Sequence, residues 1–169
     1  YGQATDLFIS EYAEGSSNNK YIEIYNGTGS EVDLSNYAFA LTNNSPTTPG
    51  QYEYWNEFTS GATIAAGDVY VIAHPSAASP ILANADQTYV FLSNGDDGFG
   101  LVYGTEASYT VIDWLGDWNG DPGVGWSVAG TSSATQDKTL VRKSTVCSPN
   151  TNWSSSAGTN TSDSEWIIY

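Results

Sequence analysis

The chain has 169 residues, enough for one domain with a two-sheet core, and its 40% hydrophobic and 14% aromatic content excludes a disordered tail. Its formal net charge is −15, with Lys20, Lys138, Arg142 and Lys143 as the only cations against 19 acidic residues. Nucleic acid and anionic membrane surfaces are disfavoured as partners, because phosphate neutralisation needs clustered Lys and Arg; cations, neutral glycans and other proteins stay open.

Strand-like runs recur between turn signals along the whole chain. The first is DLFISEY, with Leu7, Ile9 and Tyr12, followed after AEGSSNN by KYIEIYN, where apolar and polar residues alternate as in a half-buried strand. After the turn GTGSEVDLSN come YAFALT, QYEYW, VYVIAH and TYVFLS, each bounded by Gly, Pro, Asn or Asp. A short helical turn is expected around Ser76 to Ala83, and Pro75 and Pro80 rule out a longer one. GLVY, TVIDWLG, TLVRK and the terminal SEWIIY complete the strand candidates, with residues 150–164 expected as a polar loop draped over the surface. The sum is nine or ten short strands, an all-β sandwich or barrel, with no linker or internal repeat to divide residues 1–169.

Cys147 is the single cysteine, so no intrachain disulfide forms; it is read as a packed small apolar residue in preference to an intermolecular bridge. The chain opens at Tyr1 and lacks methionine, as a processed end or a fragment would. No run reaches the length of a membrane span.

The block DLFISEYAEGSSNNKYIEIYNGTGSEVDLSNYAFAL, residues 6–41, resembles the lamin tail domain family, and in particular its bacterial secreted branch. AAGDVYVIAH, the NGDDG turn, VIDWLGDW, DKTLVRK and SEWIIY extend the resemblance over nearly the whole chain. It implies an immunoglobulin-like β-sandwich, secreted or displayed at the cell surface. It implies no catalytic residues, since a fold does not fix an activity.

Two Asx-Gly clusters are candidate calcium loops: NGDDGFG with Asp96 and Asp97, and DWNGDPG with Asp117 and Asp121. Neither matches the full EF-hand pattern, and tight-turn chemistry explains the same composition. Glu11 and Glu23, on neighbouring strands, form a carboxylate pair of the kind glycosidases use, but no cleft signature accompanies them. His74 is the only histidine; with no GxSxG elbow and no further His it reads as a strand end entering a loop. No catalytic residue is assigned.

The aromatics offer a glycan or protein platform, for which Tyr52, Tyr54, Trp55 and Trp118 are the candidates, with Trp114 and Trp166 expected in the core. Alternation in QYEYW puts Tyr52 and Tyr54 on one face and Trp55 on the other. Four sequons, at Asn26, Asn43, Asn152 and Asn160, mark candidate glycosylation sites if the source glycosylates. The functional expectation is a non-catalytic extracellular binding or assembly module, its partners being other protein subunits, copies of itself or glycans. Its terminal strands, DLFISEY and SEWIIY, are expected to add to a neighbour's sheet and build a fibre. The alternative is a calcium-assisted accessory domain of a secreted hydrolase such as a nuclease.

Overall fold

The structure, a computed structural model, describes residues 3–169. Its strands are β1 (Phe8–Glu14), β2 (Lys20–Tyr25), β3 (Val32–Asp33), β4 (Tyr37–Thr42), β5 (Tyr54–Glu57) and β6 (Thr63–Ile64) in the first part of the chain. Then follow β7 (Val69–Ala73), α1 (Ser79–Leu82), β8 (Gln87–Thr88), β9 (Gly98–Thr105) and β10 (Ser108–Leu115). β11 (Lys138–Arg142), α2 (Trp153–Ala157) and β12 (Trp166–Ile168) close the chain. A six-stranded sheet in the order β12-β11-β1-β2-β7-β8 faces a four-stranded one in the order β10-β9-β4-β5, with β3 and β6 forming a small separate pair.

Side-chain alternation builds the space between them. In β2, Ile22 and Ile24 are buried while Tyr21, Glu23 and Tyr25 stand on the other face, as period-two patterning requires. Phe39 and Leu41 of β4 and Phe99 and Leu101 of β9 meet Ile9, Tyr12, Ile72 and Leu140 of the larger sheet in one apolar cluster. Each such fully buried side chain contributes about 1.5–3 kcal/mol.

Three expectations are corrected. TYVFLS is not a strand: only Gln87 and Thr88 pair, in parallel with β7, and the chain then turns at Val90 and Phe91, leaving both exposed. Residues 150–164 are not a surface drape. Asn152 caps α2 by accepting from the Ser155 N–H, and the helix drives Trp153, Ser156 and Ala157 into the core. Apolar anchorage at one Trp outweighs the polar composition around it.

The third correction concerns the first strand. β1 is hydrogen-bonded on both sides, to β2 and to β11, so DLFISEY has no free edge to offer a neighbour. β12 pairs with β11 alone and ends the sheet, with Ile167 and Tyr169 exposed.

Candidate functional site

A solvated sheet face is ordinarily polar, but the outer face of the four-stranded sheet is not. Ala38 and Ala40 of β4 lie beside Val102 and Gly100 of β9, making a shallow floor of small side chains. Trp118, from the loop after β10, lies on that floor with its indole N–H donating to the Gly98 carbonyl at 3.2 Å. A Cβ at Gly100 would sit 2.8 Å from the Trp118 ring, so the absence of a side chain there is what admits the indole. Trp114 packs edge-on against Trp118 at 4.6 Å.

Above this base stand three half-buried rings. Tyr52, Trp55 and Tyr109 form a closed triangle with centroid separations of 5.6, 5.5 and 5.4 Å. Tyr52 also meets Trp118 edge-on at 5.6 Å. Tilted and edge-to-face contacts of this kind hold aromatic rings in fixed orientations, so the patch is preorganised. Burial and the neighbouring Glu106 push the Tyr52 phenol up.

The candidate platform is therefore divided. Tyr52 and Trp55 share one face, and Tyr54, expected beside Tyr52, points the other way and stacks on Phe91 at 6.2 Å. The reason is a bend at Glu53, before β5 begins. The Glu53 carboxylate accepts from the Asn43 N–H and from Thr47, and this tether breaks the two-residue period. Trp118 is 2% exposed, the base of the patch and not a contact ring. Trp166 is in the core as expected, and Trp114 sits half-buried between the core and the outer cluster. Tyr109 was missed: β10 carries it on the outer face opposite Gly104, a position that only the strand register reveals.

The acidic loops resolve largely into turn chemistry. Asp117 accepts from the Asn119 N–H and Asp121 from the Gly123 N–H, both at 2.7 Å, as Asx turns do. Asp97 is buried and accepts from the Asn44 N–H at 2.9 Å, while Asp96 beside it is half-buried. Among the described residues no three His, Cys, Asp or Glu side chains are gathered as a metal-holding group.

Glu11 and Glu23 are direct cross-strand partners, brought to the same outer face by a bulge at Ser10. Glu11 accepts from the Tyr21 hydroxyl, and Glu23 from the Ser10 hydroxyl at 2.7 Å. Burial pushes the Glu23 carboxyl up, opposed by the Ser10 bond and reinforced by the charge of Glu11. His74 follows β7 directly, and its Nδ1 accepts from the Ser76 N–H. Cys147 is half-buried.

Of the sequons, Asn26 is wholly enclosed, with its amide donating to the carbonyls of Ser30, Ile64 and Ala65. A glycan has no room there, and this candidate is withdrawn. Asn152 and Asn160 are exposed and Asn43 is half-buried.

Two antiparallel-rich sheets enclosing one apolar layer, with an aromatic patch on an outer face, define an immunoglobulin-like sandwich. The profile of the Lamin Tail Domain family matches residues 2–117, and the chain belongs to that family. The family is an immunoglobulin-like, non-catalytic one of the kind that mediates protein interactions. The match ends after β10, yet β11 and β12 complete the larger sheet beyond it. No curated protein matches the chain. Among the described residues no helix is long and apolar enough to cross a membrane.

Proposed function

We propose that the chain is a non-catalytic extracellular binding module that engages a partner protein through the Tyr52–Trp55–Tyr109 face. The observation that carries this reading is the preorganised aromatic triangle itself, set on a sheet face that solvent alone would not make apolar. Tyr and Trp are the residues that dominate interface energetics, because they bury large area at little conformational cost.

Charge selects the partner. Lys20 and Arg142 are buried, the first against Glu14 and Asn94 and the second against Asp113 and Glu165, while Lys138 and Lys143 are half-buried and donate to backbone carbonyls. With 19 acidic residues against these four cations the surface is predominantly anionic, so the partner presents basic residues around an apolar centre. The test is capture of the partner from the native source by the wild-type domain and by Tyr52→Ser/Trp55→Ser. Capture by the wild type only, weakened further by salt, supports the reading; equal capture by both overturns it.

A second reading, self-assembly, is favoured by the open side of β12 with its exposed Ile167 and Tyr169. Like charge opposes association of two copies at −15 each, so such an assembly forms only with screening salt or cations. Sedimentation of the wild type and of Ile167→Lys in high salt separates it from the first reading.

A further inference from the structure

We propose that the polar cleft at the loop end of the sandwich is a binding site for a neutral saccharide. The cleft encloses about 380 Å³ and collects residues from four separate connections. Asn18 comes from the β1–β2 turn, Asn43 from the end of β4, His74 from the end of β7 and Asn94 and Asp97 from the loop before β9, with Lys20 beneath them. Among the described residues, the Asn18 and Asn43 amides, the Asn94 Nδ2, the His74 Nε2 and the Asp97 Oδ2 have no protein hydrogen-bond partner, whereas the backbone around them is tied down. The result is a concave array of free donors and acceptors on fixed supports.

The charges in the cleft choose among ligand classes. Lys20 is buried, 3.3 Å from Glu14 and bonded to the Asn94 Oδ1 at 2.8 Å, so its charge is already matched. Asp97 and the neighbouring Asp96 oppose an anionic ligand, as does the net charge of −15. Nor do the carboxylates gather as a cation site: among the described residues no three His, Cys, Asp or Glu side chains come together to hold a metal ion. A neutral molecule rich in hydroxyl groups satisfies both amide and carboxylate sites, because each hydroxyl donates and accepts.

The rim supplies the other half of sugar recognition. Phe91 is 56% exposed and Tyr54 42% exposed, and the two rings stack at 6.2 Å with 21° between their planes. Val90 and Phe91 sit on a turn that the sequence pattern would have placed in a strand, so two large apolar side chains are held in solvent at the mouth of a polar cleft. A pyranose ring has one apolar face and a girdle of hydroxyls, which matches a ring at the rim and amides within. Tyr54 of the rim shares β5 with Trp55 but stacks on Phe91, away from the Tyr52–Trp55–Tyr109 face, so the two proposals use different side chains and stand or fall separately.

The test is titration of the isotopically labelled full chain, followed by amide NMR, with galactose, glucose, mannose, N-acetylglucosamine and their short oligomers, and with glucuronate as the anionic comparison. The expected result is saturable shifts confined to the cleft for at least one neutral sugar and none for glucuronate. Phe91→Ser, at an exposed position, and Asn43→Ala, at a half-buried one, each weaken that binding by about tenfold or more, while Tyr109→Ser leaves it unchanged. No cleft shifts with any neutral sugar at about 50 mM, wild-type affinity retained in both cleft variants, or preference for glucuronate would each overturn the proposal.

Discussion

Arg142 of β11 reaches across the sandwich to Asp113 of β10, and the two side chains meet at 2.5 Å with 1% and 0% of their surfaces exposed. The contact joins the larger sheet to the smaller where no strand crosses between them. Asp113 also accepts from the Ile9 and Asn150 backbone N–H groups, and Arg142 donates to the Ile9 carbonyl, the Ser156 hydroxyl and Glu165. The guanidinium lies 4.3 Å from the Trp166 ring centroid. Every polar atom of the pair is therefore occupied, the condition under which burial of charge is tolerated.

Removing one partner leaves the other charged and buried. Asp113→Ala and Arg142→Ala are each expected to cost about 3–5 kcal/mol, measured by urea unfolding. The double replacement Asp113→Leu/Arg142→Met costs less than the sum, because neither charge is stranded. Strict additivity would show that the pair does not couple the sheets.

Trp118 depends on Gly100 for its seat. Gly100→Ala places a methyl 2.8 Å from the indole and lifts it from the floor. The expected outcome is a loss of about 1–3 kcal/mol and a red shift in tryptophan fluorescence. A variant with unchanged melting and emission would mean that the ring is not held there.

Asp97 gives the fold a pH dependence of known sign. Burial pushes its carboxyl up to about 6, opposed by the Asn44 N–H and reinforced by Asp96. The folded state thus holds the proton to higher pH than the unfolded chain, in which Asp titrates near ~3.9. Stability from this group is full below about pH 4, falls as pH rises to about 6 and is flat above, a drop on the order of 2–3 kcal/mol. Asp97→Asn keeps an acceptor for Asn44 and removes the drop. Its stability relative to wild type therefore rises between pH 4 and 6.5; a constant difference would contradict the assignment.

Asn26 is a structural residue. Asn26→Ala strips donors from the buried Ile64 carbonyl and from the partly buried Ser30 and Ala65 carbonyls and is expected to cost about 1–3 kcal/mol in thermal or urea unfolding. A neutral replacement would show that this turn region tolerates an unsatisfied interior.

Strand existence was legible from alternation where one face is wet and from short apolar runs where both faces are buried. KYIEIY falls in a strand because period two is written directly into it, and YAFAL and VYVIA because short apolar runs bounded by turn residues read as strands buried on both faces. QYEYW shows where that reading fails. Its phase is reset by the Glu53 tether, a contact with residues 43 and 47 that local alternation cannot encode. TYVFLS has strand composition, but the chain turns away after Thr88 and leaves Phe91 at the cleft. Tyr52, Trp55 and Trp118 were visible as aromatic candidates, but alternation set Tyr52 and Trp55 on opposite faces. Tyr109 was not, because its place depends on the β9–β10 register and a bulge after Val111. The cleft was invisible for the same reason: Asn18, Asn43, His74 and Asn94 are scattered in sequence and meet only when the strand ends align.

The central claim, that the outer aromatic face binds a partner protein, is met most directly by photo-cross-linking. p-Benzoylphenylalanine is placed at position 52, and separately at position 35, which is exposed between β3 and β4, on none of the elements that carry the three rings. Irradiation in the native source is predicted to give a discrete adduct from position 52, carrying a basic partner, and none from position 35. Adducts from both positions alike, or from neither, would contradict the claim.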